Sequence, residues 1–156
     1  MDIRIMKACV TLARRQTVEA GEEPFAAMIV KDGKVVAEGV NEMAGLLDPT
    51  AHAEMQAIRK ACEALGTVSL EGCELYTSCE PCPMCLGAIY WARPDAVYYA
   101  CTIQEAAEYG FDDTFMYKEL ALPIERRDIS MKRVLPEGYK QPFEAWMERF
   151  GSKSDL

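Results

Sequence analysis

One imidazole, two thiols and a carboxylate are the side chains of this sequence whose spacing could do chemistry. His52 is the only histidine, and it stands two residues before Glu54 in Thr50-Ala51-His52-Ala53-Glu54. Well downstream, Glu80-Pro81-Cys82-Pro83-Met84-Cys85 places two thiols at i and i+3. A neutral imidazole and two thiolates give zinc three ligands and leave a fourth position for water, whereas a structural zinc would be closed by a fourth protein ligand. Zinc in such a site lowers the pKa of its water from 15.7 to roughly 7. Glu54 is then the adjacent group able to take the proton that water loses and return it. On an ideal helix of 3.6 residues per turn the His-x-Glu spacing turns the two side chains about 200° apart. Glu54 is therefore expected beside the activated water and not among the ligands.

A second pattern competes with this one. Cys79 extends the pair to Cys79-x-x-Cys82-x-x-Cys85, which taken alone would suit four-cysteine zinc or iron–sulfur ligation. The His-x-Glu opening a helix and the proline before the pair favour the three-ligand reading, with Cys79 a small residue ending a strand. Cys9, Cys62, Cys73 and Cys101 lie in apolar stretches, where free cysteine packs as a small hydrophobe. Seven cysteines in all is an odd number, read as reduced core thiols and metal ligands in a cytoplasmic protein and not as a disulfide framework.

These residues need elements to hold them. Apolar residues from Ile5 to Ala13 recur at helical spacing between Asp2 and Ala20, with Gly21 as the stop. Phe25 to Lys31 and Val35 to Asn41 read as strands joined by Asp32-Gly33, the dipeptide of a tight hairpin turn. After the loop Glu42 to Pro49, the run Ala51 to Leu65 is built of strong helix formers and ends at Gly66. His52 and Glu54 thus fall in a first helical turn. Cys73 to Ser78 is a strand and Pro83 to Arg93 a helix with proline in its first turn. Cys82 and Cys85 then also lie at a helix N-terminus, where free N–H groups and the helix dipole favour thiolate. Asp95 to Ala100 and Ile129 to Val134 complete the strands; Ile103 to Tyr109 and Phe143 to Phe150 complete the helices. Alternating strands and helices after an opening hairpin predict an α/β fold: a three-layer α/β/α sandwich around a mixed five-stranded sheet.

With 156 residues, half of them apolar, the chain suits one domain spanning 1–156. The run Phe25 to Val30 is too short to span a bilayer, and Met1-Asp2-Ile3-Arg4 lacks a signal peptide's layout. A cytoplasmic protein with no membrane partner is expected. A formal net charge of −8 repels phosphate backbones and argues against nucleic acid as a partner, but does not exclude a small neutral molecule. Phe143, Trp146, Met147 and Phe150 at i, i+3, i+4 and i+7 form an apolar stripe, so residues 141–156 read as a helix and tail fit to dock on a partner subunit or to pack on their own.

The segment His52-Ala53-Glu54 with Pro81-Cys82-Pro83-Met84-Cys85 resembles the signature of the cytidine and purine deaminase superfamily. The likeness extends through Pro24-Phe25-Ala26-Ala27, Asp48-Pro49-Thr50-Ala51 and Leu86-Gly87-Ala88-Ile89-Tyr90-Trp91. Gly110-Phe111-Asp112-Asp113-Thr114-Phe115 is similar to the guanine deaminase branch of that superfamily. The resemblance implies hydrolysis of guanine to xanthine and ammonia by a zinc-dependent homodimer on the cytidine deaminase fold. It implies His52, Cys82 and Cys85 as zinc ligands and Glu54 as the proton shuttle. It further implies that Asn41 and the Ala53 backbone N–H bind the purine, that Trp91 lines the pocket, and that Asp113 is a second catalytic carboxylate facing the base.

From the residues alone, Asn41 could equally make a turn, Trp91 could be core, and either Asp112 or Asp113 could cap the next helix. Asp113 is the one favoured for the base. Phe25 is left outside the site. Branch members can end in a tyrosine that helps close the neighbouring subunit's site, whereas this chain ends Gly151-Ser152-Lys153-Ser154-Asp155-Leu156. Guanosine, cytosine or a tRNA adenosine are the alternative substrates, and a non-catalytic zinc-binding module is the alternative from another class. Retention of Glu54 speaks against the module.

Overall fold

Asp32 and Gly33 both take positive φ, 50° and 71°, as the two central residues of a type I′ hairpin turn require. They join β1 (Ala26–Lys31) to β2 (Lys34–Val40), paired antiparallel with Ala26 opposite Val40. In this computed structural model, which describes residues 1–151, β3 (Cys73–Cys79) pairs antiparallel with the other edge of β1. β4 (Ala96–Cys101) pairs parallel with β3, which gives a mixed sheet in the order β2-β1-β3-β4.

The sheet has four strands, not the expected five. The missing one is Ile129 to Val134, which is irregular, with Ile129 and Val134 each 79% exposed. A strand is held by a hydrogen-bonded ladder and a buried face, and this segment has neither among the described residues.

Helices cover both faces of the sheet. α1 (Ile3–Arg15) is capped by Asp2, whose carboxylate accepts from the Arg4 N–H at 2.9 Å, and a π-helical turn carries the chain on to Gly21. Its Cys9 and Ala13 pack with Ala26, Met28, Val30 and Tyr76. The alternate residues Ala27, Ile29 and Leu75 pack on the opposite face against Ala53, Ala57 and Ala61 of a second helix and Ile89 and Ala92 of a third. Side chains of a strand alternate between faces, so these two clusters are the two cores of a three-layer α/β/α arrangement.

The second helix, α3 (Ala53–Leu65), runs to Gly66 at φ 67°. It follows the short α2 (Met43–Leu46), a turn within the segment expected to be loop. The third, α4 (Pro83–Ala92), is the crossover between the parallel strands β3 and β4. Gly39 of β2 lies directly under α3: a Cβ there would strike the Ala53 carbonyl oxygen and the Ala57 backbone nitrogen. Glycine at this one position sets how closely the helix start approaches the sheet. After β4 come α5 (Ile103–Ala107) and α6 (Thr114–Ala121), the latter being the helix for which Asp112 and Asp113 were the candidate caps.

The chain divides into two compact units, Met1–Ala121 and Leu122–Leu156. In the second, a 3-10 turn at Ile124–Arg126 precedes α7 (Gln141–Phe150). Within α7, Trp146 and Phe150 stack with ring centroids 4.4 Å apart, and the Arg149 guanidinium lies over the Phe150 ring. Phe143, Trp146, Met147 and Phe150 are exposed. The part of the expected C-terminal tail beyond Gly151, including the chain end where branch members can carry a tyrosine, lies outside the described residues. Among the described residues no helix is long and apolar enough to cross a membrane.

Candidate active site

His52 is the N-cap of α3, with extended backbone at φ −67° and ψ 158°, so its ring leaves the helix axis where a ligand must. The approach to it is tied down by polar contacts. The Asp48 carboxylate accepts from the Thr50 N–H at 2.8 Å and the Thr50 hydroxyl at 2.7 Å, contacts that hold its pKa below the usual carboxylate range. Arg59 donates to the Thr50 hydroxyl at 3.1 Å, and Gln56 donates to Glu42 at 2.6 Å. These bonds fasten the loop before His52 to the helix that follows it.

Cys82 is the N-cap of α4 and Pro83 stands in its first turn, where the missing proline N–H costs nothing. The Cys82 sulfur accepts from the Cys85 backbone N–H at 3.5 Å. The His52 Nδ1 lies 3.7 Å from Cys82 Sγ and 3.6 Å from Cys85 Sγ. Ligand atoms of the three residues all fall within 4.8 Å of one another. One nitrogen and two sulfurs at this spacing fit a tetrahedral zinc ion with its fourth position free.

Charge is already arranged for that ion. The Cys85 thiol, then the His52 ring and the Cys85 N–H, hydrogen-bond to the Cys82 sulfur and push its pKa down to about 4. Cys85 is raised by its bond to that thiolate and by burial. Without metal the pair therefore holds one thiolate and one thiol, and metal binding expels the remaining proton. Cys79 does not join the cluster: it ends β3 as expected, and burial pushes its thiol up to about 12.

Glu54, in the first turn of α3, is 6% exposed. It lies beside the ligands and is not one of them, as the helical spacing implies. Its Oε1 accepts from the Thr77 hydroxyl at 3.2 Å and its Oε2 from the Cys85 thiol at 3.5 Å. Burial raises its pKa, which brings a carboxyl closer to the range where it can both take and give a proton near neutrality.

Above these residues opens a cavity of about 270 Å³ whose lining includes Glu54, His52 and Cys82 together with Asn41, Ala53 and Asp113. The volume suits a molecule of nucleobase size. Ala53 is fully buried at the first position of α3, where a backbone N–H has no partner in its own helix. Asn41 is 2% exposed and donates through Nδ2 to the Glu23 carboxylate at 2.7 Å.

The two aspartates divide as the sequence left open. Asp112 accepts from the Thr114 N–H at 2.9 Å and from the Thr114 hydroxyl, fastening the start of α6, and these bonds lower its pKa. Asp113 is raised instead, by burial and then by the negative Cys82. The Tyr117 hydroxyl donates to the Pro81 carbonyl at 2.9 Å, pinning α6 to the turn that carries Cys82.

Trp91 is not brought to this cavity. It is 72% exposed on α4 and is not among the lining residues. Sequence reasoning missed Glu23, Thr77 and Phe111, and left out Phe25. Phe25 and Phe111 both line the cavity and meet edge to face at 5.1 Å. Proximity of Pro24-Phe25 to the hairpin start was the only local signal for Phe25; Glu23 and Phe111 are separated from the metal residues by long stretches of chain, and Thr77, five positions before Cys82, carries no spacing that marks it.

Comparison with known proteins agrees with this geometry. Residues 1–101 match the family model of the cytidine and deoxycytidylate deaminase zinc-binding region. The chain is 55% identical over 151 residues to a guanine deaminase of Bacillus subtilis, covering 96% of each sequence. A crystal structure of guanine deaminase from Bacillus subtilis superposes with a TM-score of 0.93 at 53% identity, over the whole of both chains. A tRNA-specific adenosine deaminase of Aquifex aeolicus is 45% identical over 95 residues, 61% of this chain and 62% of that protein.

Proposed function

The chain belongs to the cytidine and deoxycytidylate deaminase zinc-binding family, and from that premise we infer that it is a zinc-dependent aminohydrolase converting guanine and water to xanthine and ammonia. The likeness to guanine deaminase runs through the whole chain, whereas that to the tRNA enzyme covers 61% of it. The observation that carries the reading is a pair of carboxylates, Glu54 and Asp113, lining one cavity with the metal cluster.

His52, Cys82 and Cys85 would hold the zinc, which when bound would supply an acidified water at neutral pH. Every other task falls to the protein. Glu54 takes the proton from that water and delivers it to N3 of guanine, the ring nitrogen next to C2. The water oxygen bonds to C2; Glu54 then carries the remaining proton of that oxygen to the amino nitrogen, and the C2–N bond breaks to release ammonia as the C2 carbonyl of xanthine forms. Thr77 holds one oxygen of Glu54, and the other accepts from the Cys85 thiol; loss of that thiol proton on metal binding would release it to serve these positions. Asp113 accepts from N1–H on the far side of C2, a donor that cytosine and adenine lack beside the carbon attacked. The Ala53 N–H and Asn41 bind the remaining polar edge.

Several parts of this reading reach past a single chain. Trp91, exposed on α4, serves as a substrate-lining residue only from a second copy, so we place the enzyme as a homodimer. The apolar face of α7 supports docking of residues 141–156 on that copy, with 1–156 acting as one deaminase domain. The net charge of −8 supports a free nucleobase and no nucleic-acid partner. Seven free thiols among the described residues support a cytoplasmic setting. Incubation of the zinc-loaded protein with guanine, guanosine, cytosine and adenine, following ammonia, tests the function. Guanine should be turned over fastest; preference for another base, or no ammonia from any, overturns it.

A further inference from the structure

Asn41 offers a substrate either a donor or an acceptor, depending on which way its amide is turned. The turn is decided by Glu23. Phe25 N–H bonds the Glu23 carbonyl at 2.8 Å and Asn41 N–H bonds the Phe25 carbonyl at 3.2 Å, which brings residue 23 alongside residue 41 at the mouth of the hairpin. A carboxylate only accepts hydrogen bonds, so the amide must present Nδ2 to Glu23, and it does so at 2.7 Å. The opposite end, Oδ1, is thereby an acceptor. Among the described residues no buried side-chain polar atom lacks a partner, and no protein donor to Oδ1 is found. Since Asn41 is 2% exposed and lines the cavity, the cavity is where that oxygen is reached.

We infer that Glu23 is a positioning residue that fixes Asn41 as an acceptor for the N9–H of a purine, so that the site selects the free base over its N9-substituted forms. The inference rests on the guanine reading above. The Glu42 N–H bonds the Ala51 carbonyl at 3.0 Å, so Asn41 stands beside the start of α3, the turn that carries Glu54, while Asp113 comes from the separate segment before α6; all three line the cavity. With N1–H of guanine toward Asp113, the N3 side of the ring faces Asn41. N9 lies on that same side, one ring carbon from N3. In the free base N9–H is a donor and meets Oδ1; in a nucleoside the same nitrogen carries the sugar and has no hydrogen.

The test compares guanine with 9-methylguanine, which lacks only that donor. Glu23→Gln has nearly the same shape but can donate as well as accept, so it no longer dictates the amide's turn. The variant should raise KM for guanine about tenfold, the scale of one hydrogen bond, with kcat within about twofold and zinc content unchanged. Turnover of 9-methylguanine should be unaffected or improved, so discrimination shrinks. Glu23→Ala should behave alike. The double variant Glu23→Gln with Asn41→Asp reverses the polarity of the bond: the amide introduced at position 23 donates to one oxygen of the carboxylate introduced at position 41, while the other oxygen faces the cavity as an acceptor. It should recover most of the lost KM for guanine, which a purely structural role for Glu23 does not predict.

Equal losses on both substrates, no recovery in the double variant, or failure of both single variants to fold would each overturn the role of Glu23. If the wild-type protein fails to deaminate guanine, the functional reading itself falls; normal guanine turnover with discrimination indifferent to residue 23 removes only this inference.

Discussion

At the scale of single residues, the proposed mechanism separates metal holding from proton handling. His52, Cys82 and Cys85 meet at the N-termini of α3 and α4, while Glu54 hangs beside them on Thr77 and Cys85. Glu54→Gln keeps the side chain's shape and removes its capacity to carry protons, and general acid–base transfer typically contributes about 10² to 10⁴-fold. The variant should therefore keep one zinc per chain, measured by metal analysis, while kcat for guanine falls by about that factor; near-normal kcat at full zinc would remove Glu54 from the mechanism. The aspartates give a paired test. A buried N1–H left without its acceptor costs about 1 to 3 kcal/mol, so Asp113→Ala, which removes the accepting oxygens, should lower kcat/KM for guanine by about 10-fold or more. Asp112→Asn should leave it near wild type, because Asp112 spends its carboxylate on Thr114 and asparagine caps helices nearly as well. Impairment of only the Asp112 variant would reverse the assignment. What made His52, Glu54, Cys82 and Cys85 legible in the sequence is that each pair lies within four residues of chain, where spacing alone constrains geometry. Glu23 and Thr77 reach the site through strand pairing, and no local pattern announces them.

At the scale of elements, the site is a product of how closely α3 is laid on the hairpin. Gly39 permits that approach, since any Cβ there meets the backbone at Ala53 and Ala57 and not a side chain that can swing away. Overpacking of this kind costs typically about 1 to 3 kcal/mol, and here relief requires moving the helix start that carries both His52 and Glu54. Gly39→Ala should lower Tm and also weaken zinc retention against a chelator. A loss of stability with zinc affinity unchanged would show that the strain is absorbed elsewhere in α3. The elements themselves were largely readable: the Asp32-Gly33 hairpin, the helices ended by Gly21 and Gly66, and proline at the start of α4 all appear where their turn and cap chemistry put them. Ile129 to Val134 was not, because Ile-Ser-Met alternates as a strand does while Lys132 and Arg133 break the alternation, and pairing depends on an edge that local sequence does not specify. The four residues of α2 were hidden for a related reason, being too short to show a helical period.

At the scale of the whole molecule, the described chain leaves apolar surface that a dimer would use. Trp91 is 72% exposed, and Phe143, Trp146, Met147 and Phe150 share one exposed face of α7. Apolar side chains grouped in this way mark interaction surfaces, and exchange of a terminal element between identical subunits is a low-cost route to dimers. The turn 137–140, between Pro136 and the start of α7 and containing Gly138, would be the hinge of such an exchange. If residues 141–156 dock on a second copy, their removal should shift the mass in solution from dimer toward monomer. It should also lower kcat/KM for guanine by about tenfold or more, because the neighbour's cavity loses its cover. The metal cluster and the sheet lie within Met1–Ala121, so the truncated protein should still bind zinc, which separates loss of docking from loss of fold. An unchanged and fully active dimer after the deletion would mean that the second copy is held by another surface, with the exposed face of α4 around Trp91 the first to examine.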